Sequence, residues 1–173
     1  HAPLIAGTPG MTLAAVSSSD AAKVHADWPS VPVVSEPKHL FNDPNIDLIV
    51  IPTPNDTHFP LAKAALEAGK HVVVDKPFTV TLSQARELDA LAKSLGRLLS
   101  VFHNRRWDSD FLTVKRLLSE GTLGEILFFE SHFDRFRPQV RNRWREQAGP
   151  GSGIWYDLAP HLLDQAVNLF GLP

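Results

Sequence analysis

The run Ile46-Asp47-Leu48-Ile49-Val50-Ile51, closed by Pro52-Thr53-Pro54, decides the fold. Its β-branched residues follow one another without the polar alternation of a half-wet strand. Such a run suits a parallel strand covered on both faces. Parallel neighbours need crossover helices, and the flanking sequence supplies them. Downstream, His58 to Ala68 reads as a helix stopped by Gly69, and His71 to Val74 as the next strand. Thr81 and Gln84 form a capping-box pattern that opens another helix. Leu82, Ala85, Leu88, Leu91, Ala92 and Leu95 share one face of it, and Gly96 ends it. Leu98 to Phe102 is one more strand. Upstream, the residues to Gly7 read as the tail of a helix, Thr12 to Val16 as a short apolar strand, and Asp20 to Asp27 as a short helix. This alternation predicts an α/β fold, a doubly wound parallel sheet with right-handed crossovers.

The pattern changes near His103. Residues 1–101 read as one domain, and 102–173 as the beginning of a second. In the second, Ser109 to Glu120 is an amphipathic helix with Phe111, Val114, Leu117 and Leu118 inward. Glu125 to Asp134 places Ile126, Phe128 and Phe133 among polar neighbours, which suits an antiparallel strand with one wetter face. Arg135 to Gly153, rich in arginine, proline and glycine, reads as a long loop, and Leu158 to Phe170 as a final helix. The expected second domain is therefore α+β with an open antiparallel sheet.

The 173 residues are 43% hydrophobic, enough for one domain or parts of two. Lys+Arg is 17 and Asp+Glu is 19, a net charge of -2, so no global positive field argues for nucleic acid. The absence of cysteine excludes a disulfide framework and a thiolate metal site, and fits a cytoplasmic protein. No apolar run approaches the roughly 18 residues that span a bilayer. The chain has no initiator methionine and opens inside a helix, so the expectation is the middle of a longer protein.

In an open α/β sheet, ligands sit outside the carboxyl ends of the strands. Three segments place polar residues there: Ser17, Ser18 and Ser19; Thr53, Asn55 and His58; Asp75 and Lys76. Each alone is an ordinary turn, and a lysine before a proline is ordinarily a solvated loop charge. Further on, Asp157 and His161 stand one helical turn apart after Trp155 and Tyr156. Such a pair is commonly surface decoration. With Asp164 it also permits a metal reading, but no further His or Glu is suitably spaced, so no metal is expected. The arginines at 135, 137, 141, 143 and 145 read as a solvated loop or a dimer edge. A cationic donor together with a histidine able to take a proton is what oxidation of an alcohol requires.

Taken together, these segments resemble the Gfo/Idh/MocA oxidoreductases. The pieces that carry the resemblance are Pro52-Thr53-Pro54-Asn55-Asp56-Thr57-His58, Ala68 to Pro77, Asn104 to Asp108, Leu123 to Ile126, and Gly153 to Asp164. The resemblance implies a Rossmann-type first domain, lacking its first strand in this chain. It also implies NAD(P)-dependent oxidation of a sugar, polyol or related hydroxy compound. Lys76 looks like the family's catalytic lysine, with Asp75 where a glutamate is usual, and Asp157 and His161 look like its Asp-x-x-x-His pair. Pro52, Thr53, Asn55, His58 and Arg105 match cofactor-lining positions, while Trp155 and Tyr156 are expected to shape the substrate pocket. The family's Gly-rich turn would precede His1. At the second strand, Ser17-Ser18-Ser19 with Lys23 stands where an acid would favour NAD, so NADP is the expected cofactor, ahead of NAD. A homodimer or larger homo-oligomer is expected. The alternatives are a non-catalytic NAD(P)- or sugar-binding regulator on the same fold, and a metal-dependent hydrolase using Asp157 and His161.

Overall fold

A computed structural model describes every residue except Arg135, Val140 and Arg141. The chain divides into two compact units, His1–Ser100 and Val101–Pro173.

The first unit runs α1 (Ala2–Gly7), β1 (Val16–Ser17), α2 (Ala21–Asp27), β2 (Val33–Val34), α3 (Pro37–Phe41) and β3 (Leu48–Ile51). A 3-10 turn (Asn55–Thr57), α4 (His58–Glu67), β4 (His71–Asp75), α5 (Leu82–Ser94) and β5 (Leu99–Phe102) follow. The unit boundary falls within β5. β1 and β2 form one parallel pair, and β3, β4 and β5 form a second sheet in that order. β3 and β4 run parallel in the register Leu48↔His71 to Ile51↔Val74.

α5 is capped as its sequence implies: Thr81 accepts from the Gln84 amide, and the Gln84 side chain accepts from the Thr81 amide. Gly69, at φ 79° after α4, supplies the left-handed residue that turns the chain into β4. Ile49, Ile51, Val72 and Val74 are buried with Ala62, Ala65 and Leu66 of α4 and Leu88 and Ala92 of α5.

Two expectations change here, and β2 and α3 are elements the sequence reading lacked. The strand expected over Thr12–Val16 is confined to Val16–Ser17, because only there does a neighbour pair: the Val16 amide donates to Pro32 O and the Ser18 amide to Val34 O. β2 and α3 are too short to leave a periodic signal. β3 and β4 are not sealed on both faces, since their residues alternate between buried and half-buried. A groove of about 590 Å³ explains part of this, being walled by β1, β3 and α3. Among the described residues β1 pairs only with β2, and β3 only with β4.

Lys70 has a structural role that its motif did not announce. It is 8% exposed, and its Nζ donates to Asp43 O at 2.6 Å and Ile46 O at 2.7 Å. The ammonium thus pins the loop that enters β3. Lys70→Met would strand both carbonyls, so we expect a loss of about 2–4 kcal/mol in denaturant titration. A loss below about 0.5 kcal/mol, the range of a neutral surface change, would show that the bonds are dispensable.

The second unit contains a 3-10 turn (Asn104–Trp107), α6 (Ser109–Ser119), a second 3-10 turn (Trp144–Glu146) and α7 (Ile154–Phe170). α6 buries Phe111, but Val114, expected inward, is 37% exposed. The strand expected over Glu125–Asp134 does not form, since no described residue pairs with it. Its expected covered face is open too: Phe128 is 79% exposed. α7 starts four residues before Leu158, after Gly153 at φ 91°. Pro160 lies inside α7, which forgoes one rung because proline has no N–H.

Candidate active site

In the first unit, Ser17 closes β1, and Pro52 and Thr53 follow the carboxyl end of β3. Ser18 turns the chain into α2: its Oγ accepts from the Asp20 amide at 3.1 Å. Asp20, the nearest acid after β1, is occupied as the α2 cap, its Oδ1 accepting from the Lys23 amide at 3.0 Å. Ser18, Ser19 and the exposed Lys23 are not among the groove walls.

The turn after β3 is braced internally. Thr57 Oγ1 donates to Pro54 O at 2.7 Å and lies 2.6 Å from Thr53 Oγ1. With the Thr57 hydrogen committed, Thr53 is the donor between the two hydroxyls, and its lone pairs are left for another partner. Asn55 is 4% exposed at the start of the 3-10 turn. His58 is placed otherwise than expected. It is 0% exposed, with Nε2 at 2.9 Å from Thr53 O and Nδ1 at 2.8 Å from Pro77 O, so the ring lines no open surface. After β4, Asp75 Oδ1 accepts from the Lys76 amide at 2.7 Å, and Oδ2 lies 3.6 Å from His1 Nε2. Lys76 follows at the strand's carboxyl end, half-buried.

In the second unit, α7 puts Asp157 and His161 on one face, one turn apart. His161 is 6% exposed and lies against Phe133, ring centres 6.3 Å apart. The Arg105 guanidinium stands 5.5 Å over the same Phe133 ring, and Arg105 Nη1 donates to Asp108 Oδ2 at 2.8 Å. Asp157 lines a cavity of about 240 Å³ together with Phe133, Arg137, Arg143, Arg145 and Glu146. Its Oδ1 is 3.9 Å from Arg145 Nε, a loose pairing. Trp155 is 66% exposed and Tyr156 half-buried, both outside that cavity's walls. Arg135 and Arg141 of the arginine run lie outside the described residues.

Asp164, which the metal reading would have used, is held elsewhere. Arg106 grips it with Nε to Oδ2 at 2.7 Å and Nη2 to Oδ1 at 2.6 Å, and His103 Nδ1 lies 3.3 Å from Oδ1. Among the described residues no group of His, Cys, Asp or Glu is arranged to hold a metal ion. Sequence reasoning missed this knot, whose only sign was an arginine following a histidine, 58 residues before the acid it grips.

The knot has a pH consequence. Burial pushes the His103 pKa below its ordinary 6.5, against the pull of Asp164 and with the push of Arg106. The contact with Asp164 would suggest the opposite, but Arg106 already neutralises that carboxylate, so desolvation prevails. The neutral ring is therefore the form the fold favours. Its stabilising contribution is complete above the unfolded value and is lost as pH falls through the folded one. Acidified from pH about 7.5 to about 5.5, the protein should lose more stability than a His103→Gln variant. Equal losses in urea titrations of the two would remove His103 as the cause.

Comparison with known proteins places the chain. Residues 1–103 match the profile of an oxidoreductase family with an NAD-binding Rossmann fold, and residues 111–173 match the GFO/IDH/MocA C-terminal domain. The chain is 88% identical over 173 residues to the uncharacterized oxidoreductase YdgJ of Escherichia coli (strain K12), covering all of this chain and 50% of YdgJ. It is 42% identical to the scyllo-inositol 2-dehydrogenase (NADP(+)) IolW of Bacillus subtilis (strain 168), of which it covers 48%. The solved structure of YPO2259 from Yersinia pestis superposes with a TM-score of 0.93 at 74% identity, all of this chain matching 49% of that one. The chain thus spans about half the length of the relatives it matches. No helix among the described residues is long and apolar enough to cross a membrane. With both of its parts matched in order, the chain belongs to the Gfo/Idh/MocA family of oxidoreductases.

Proposed function

We propose that the whole protein is an NAD(P)-dependent dehydrogenase acting on a CH–OH group of a sugar, polyol or related hydroxy compound. One observation carries this reading: the chain keeps a half-buried lysine at the end of β4 together with an Asp157–His161 pair on one face of α7. A regulator has no need of a proton relay.

The carboxyl ends of β1, β3 and β4 carry Ser17, Thr53 and Lys76, and the crevice outside such ends is where an open α/β sheet holds a dinucleotide. Ser17, Ser18, Ser19, Lys23, Pro52, Thr53, Asn55, Asp75, Lys76 and Arg105 are the residues we assign to holding it. The bound nicotinamide supplies hydride acceptance and donation. In the oxidative direction the carbinol carbon gives up hydride and its oxygen gives up a proton, leaving a carbonyl. His161 takes that proton as general base, Lys76 holds the developing alkoxide, and Asp157 orients the histidine or a substrate hydroxyl. Trp155 and Tyr156 bound the substrate.

NADP is the cofactor we favour. Hydroxyls and a lysine follow β1, the nearest acid is spent on a helix cap, and a relative at 42% identity is described as NADP(+)-dependent. The same relative makes a cyclic polyol of the inositol type the first substrate to try. Fluorescence titration should show NADPH binding tighter than NADH. Tighter NADH would reverse the cofactor assignment, and binding of neither by folded protein would refute the dehydrogenase reading.

A further inference from the structure

We propose that His58 is a positioning residue that locks the loop after β3 to the loop after β4, and so sets where Lys76 stands relative to the Thr53 turn. This rests on the reading of Lys76 and the Thr53 turn as parts of the active site.

The ladder between β3 and β4 ends at Ile51↔Val74, and Thr53 and Lys76 lie beyond it. The imidazole spans that gap. Nε2 lies 2.9 Å from the carbonyl of Thr53, and Nδ1 lies 2.8 Å from the carbonyl of Pro77, the residue next to Lys76. A carbonyl oxygen only accepts, so each tie needs a hydrogen on its nitrogen, and the ring joins both loops at once when both nitrogens carry one. The root of the ring is fixed as well. His58 is the first residue of α4, whose Ala62, Ala65 and Leu66 are 0% exposed in the core. The ring is equally buried, so it acts on a ligand only through the loops it holds. No other side chain has donors on opposite edges of one small rigid ring. Asparagine and glutamine each reach one of the two places.

That difference provides the test. The asparagine amide nitrogen hangs from Cγ, as Nδ1 does; the glutamine nitrogen lies one bond further, as Nε2 does. His58→Asn therefore keeps the Pro77 tie and drops the Thr53 tie, and His58→Gln does the reverse. Both variants and the parent, each expressed from the whole gene, are compared by hydrogen-exchange mass spectrometry and by kinetics. With His58→Gln we expect faster exchange confined to residues 76–80, and a kcat lowered about ten- to a hundredfold with the NADPH Kd nearly unchanged. With His58→Asn we expect faster exchange confined to residues 53–57, and an NADPH Kd raised about three- to tenfold with kcat nearly unchanged. The proposal is overturned by exchange that rises equally in both loops or for one variant only. Outright unfolding of both variants overturns it too, since His58 would then hold the whole unit. Where the parent turns over, so does selective exchange without the matching split between kcat and Kd. The exchange result stands whether or not the protein oxidises a polyol, which separates failure of the lock from failure of the dehydrogenase reading.

Discussion

Lys76→Met is expected to lower kcat/KM for polyol oxidation by roughly 10²–10³-fold, the cost of losing one well-placed donor to a developing oxyanion. The position supports a loss of that size. Lys76 is half-buried, and its backbone is held at the end of β4 by the Asp75 carboxylate at 2.7 Å and by Pro77, which is buried. The side chain therefore leaves a fixed base, and in half-buried surroundings a charge acts more strongly than in water. Methionine keeps the length and the apolar stem of lysine, so the fold should stand. The NADPH Kd should change far less than kcat/KM, because the charge is needed most where the alkoxide forms. Steady-state kinetics beside a nucleotide titration checks both. A variant that turns over as fast as the parent would remove Lys76 from the chemistry and favour the regulator.

His161→Asn should cost about 10²–10⁴-fold in kcat/KM, the range for a lost general base. Asparagine can still donate near the Nδ1 position but cannot take a proton. The variant should therefore also lose the part of the pH profile in which the parent's rate rises as its base deprotonates. His161 is 6% exposed on α7, against Phe133, so its ring is confined before any substrate arrives. Confinement is part of what makes a base effective, since orientation need not be found anew in each turnover. On the proposed reading Asp157, one turn earlier and 24% exposed at its side chain, would supply the orienting charge. If the rate falls but the pH profile keeps its shape, His161 is structural and the base lies elsewhere.

Much of the first unit could be read in the sequence because its signals are local. The Ile46–Ile51 run, the Thr81/Gln84 box and Gly69 each act within a few residues, and each formed the element it implied. The Asp157/His161 spacing likewise placed both residues on one helix face in advance, since 3.6 residues per turn allows little else. Where the reading failed, the missing information was a neighbour. Thr12–Ala15 and Glu125–Asp134 have strand-like composition but no pairing partner among the described residues, and a strand is defined by the ladder it joins.

By itself, the sequence determined the fold class and the family, and it nominated the residues proposed to carry chemistry. Those follow from periodicity, caps and short motifs, in which cause and effect lie within one or two turns of chain. Only the tertiary structure decided what the buried polar groups do. Lys70 pins the entrance to β3, Asp164 is held by Arg106 and His103, and His58 faces two carbonyls instead of a cofactor. A hydrogen bond depends on a partner's position within tenths of an ångström. For groups as far apart along the chain as His103 and Asp164, only the packing of the fold sets that position.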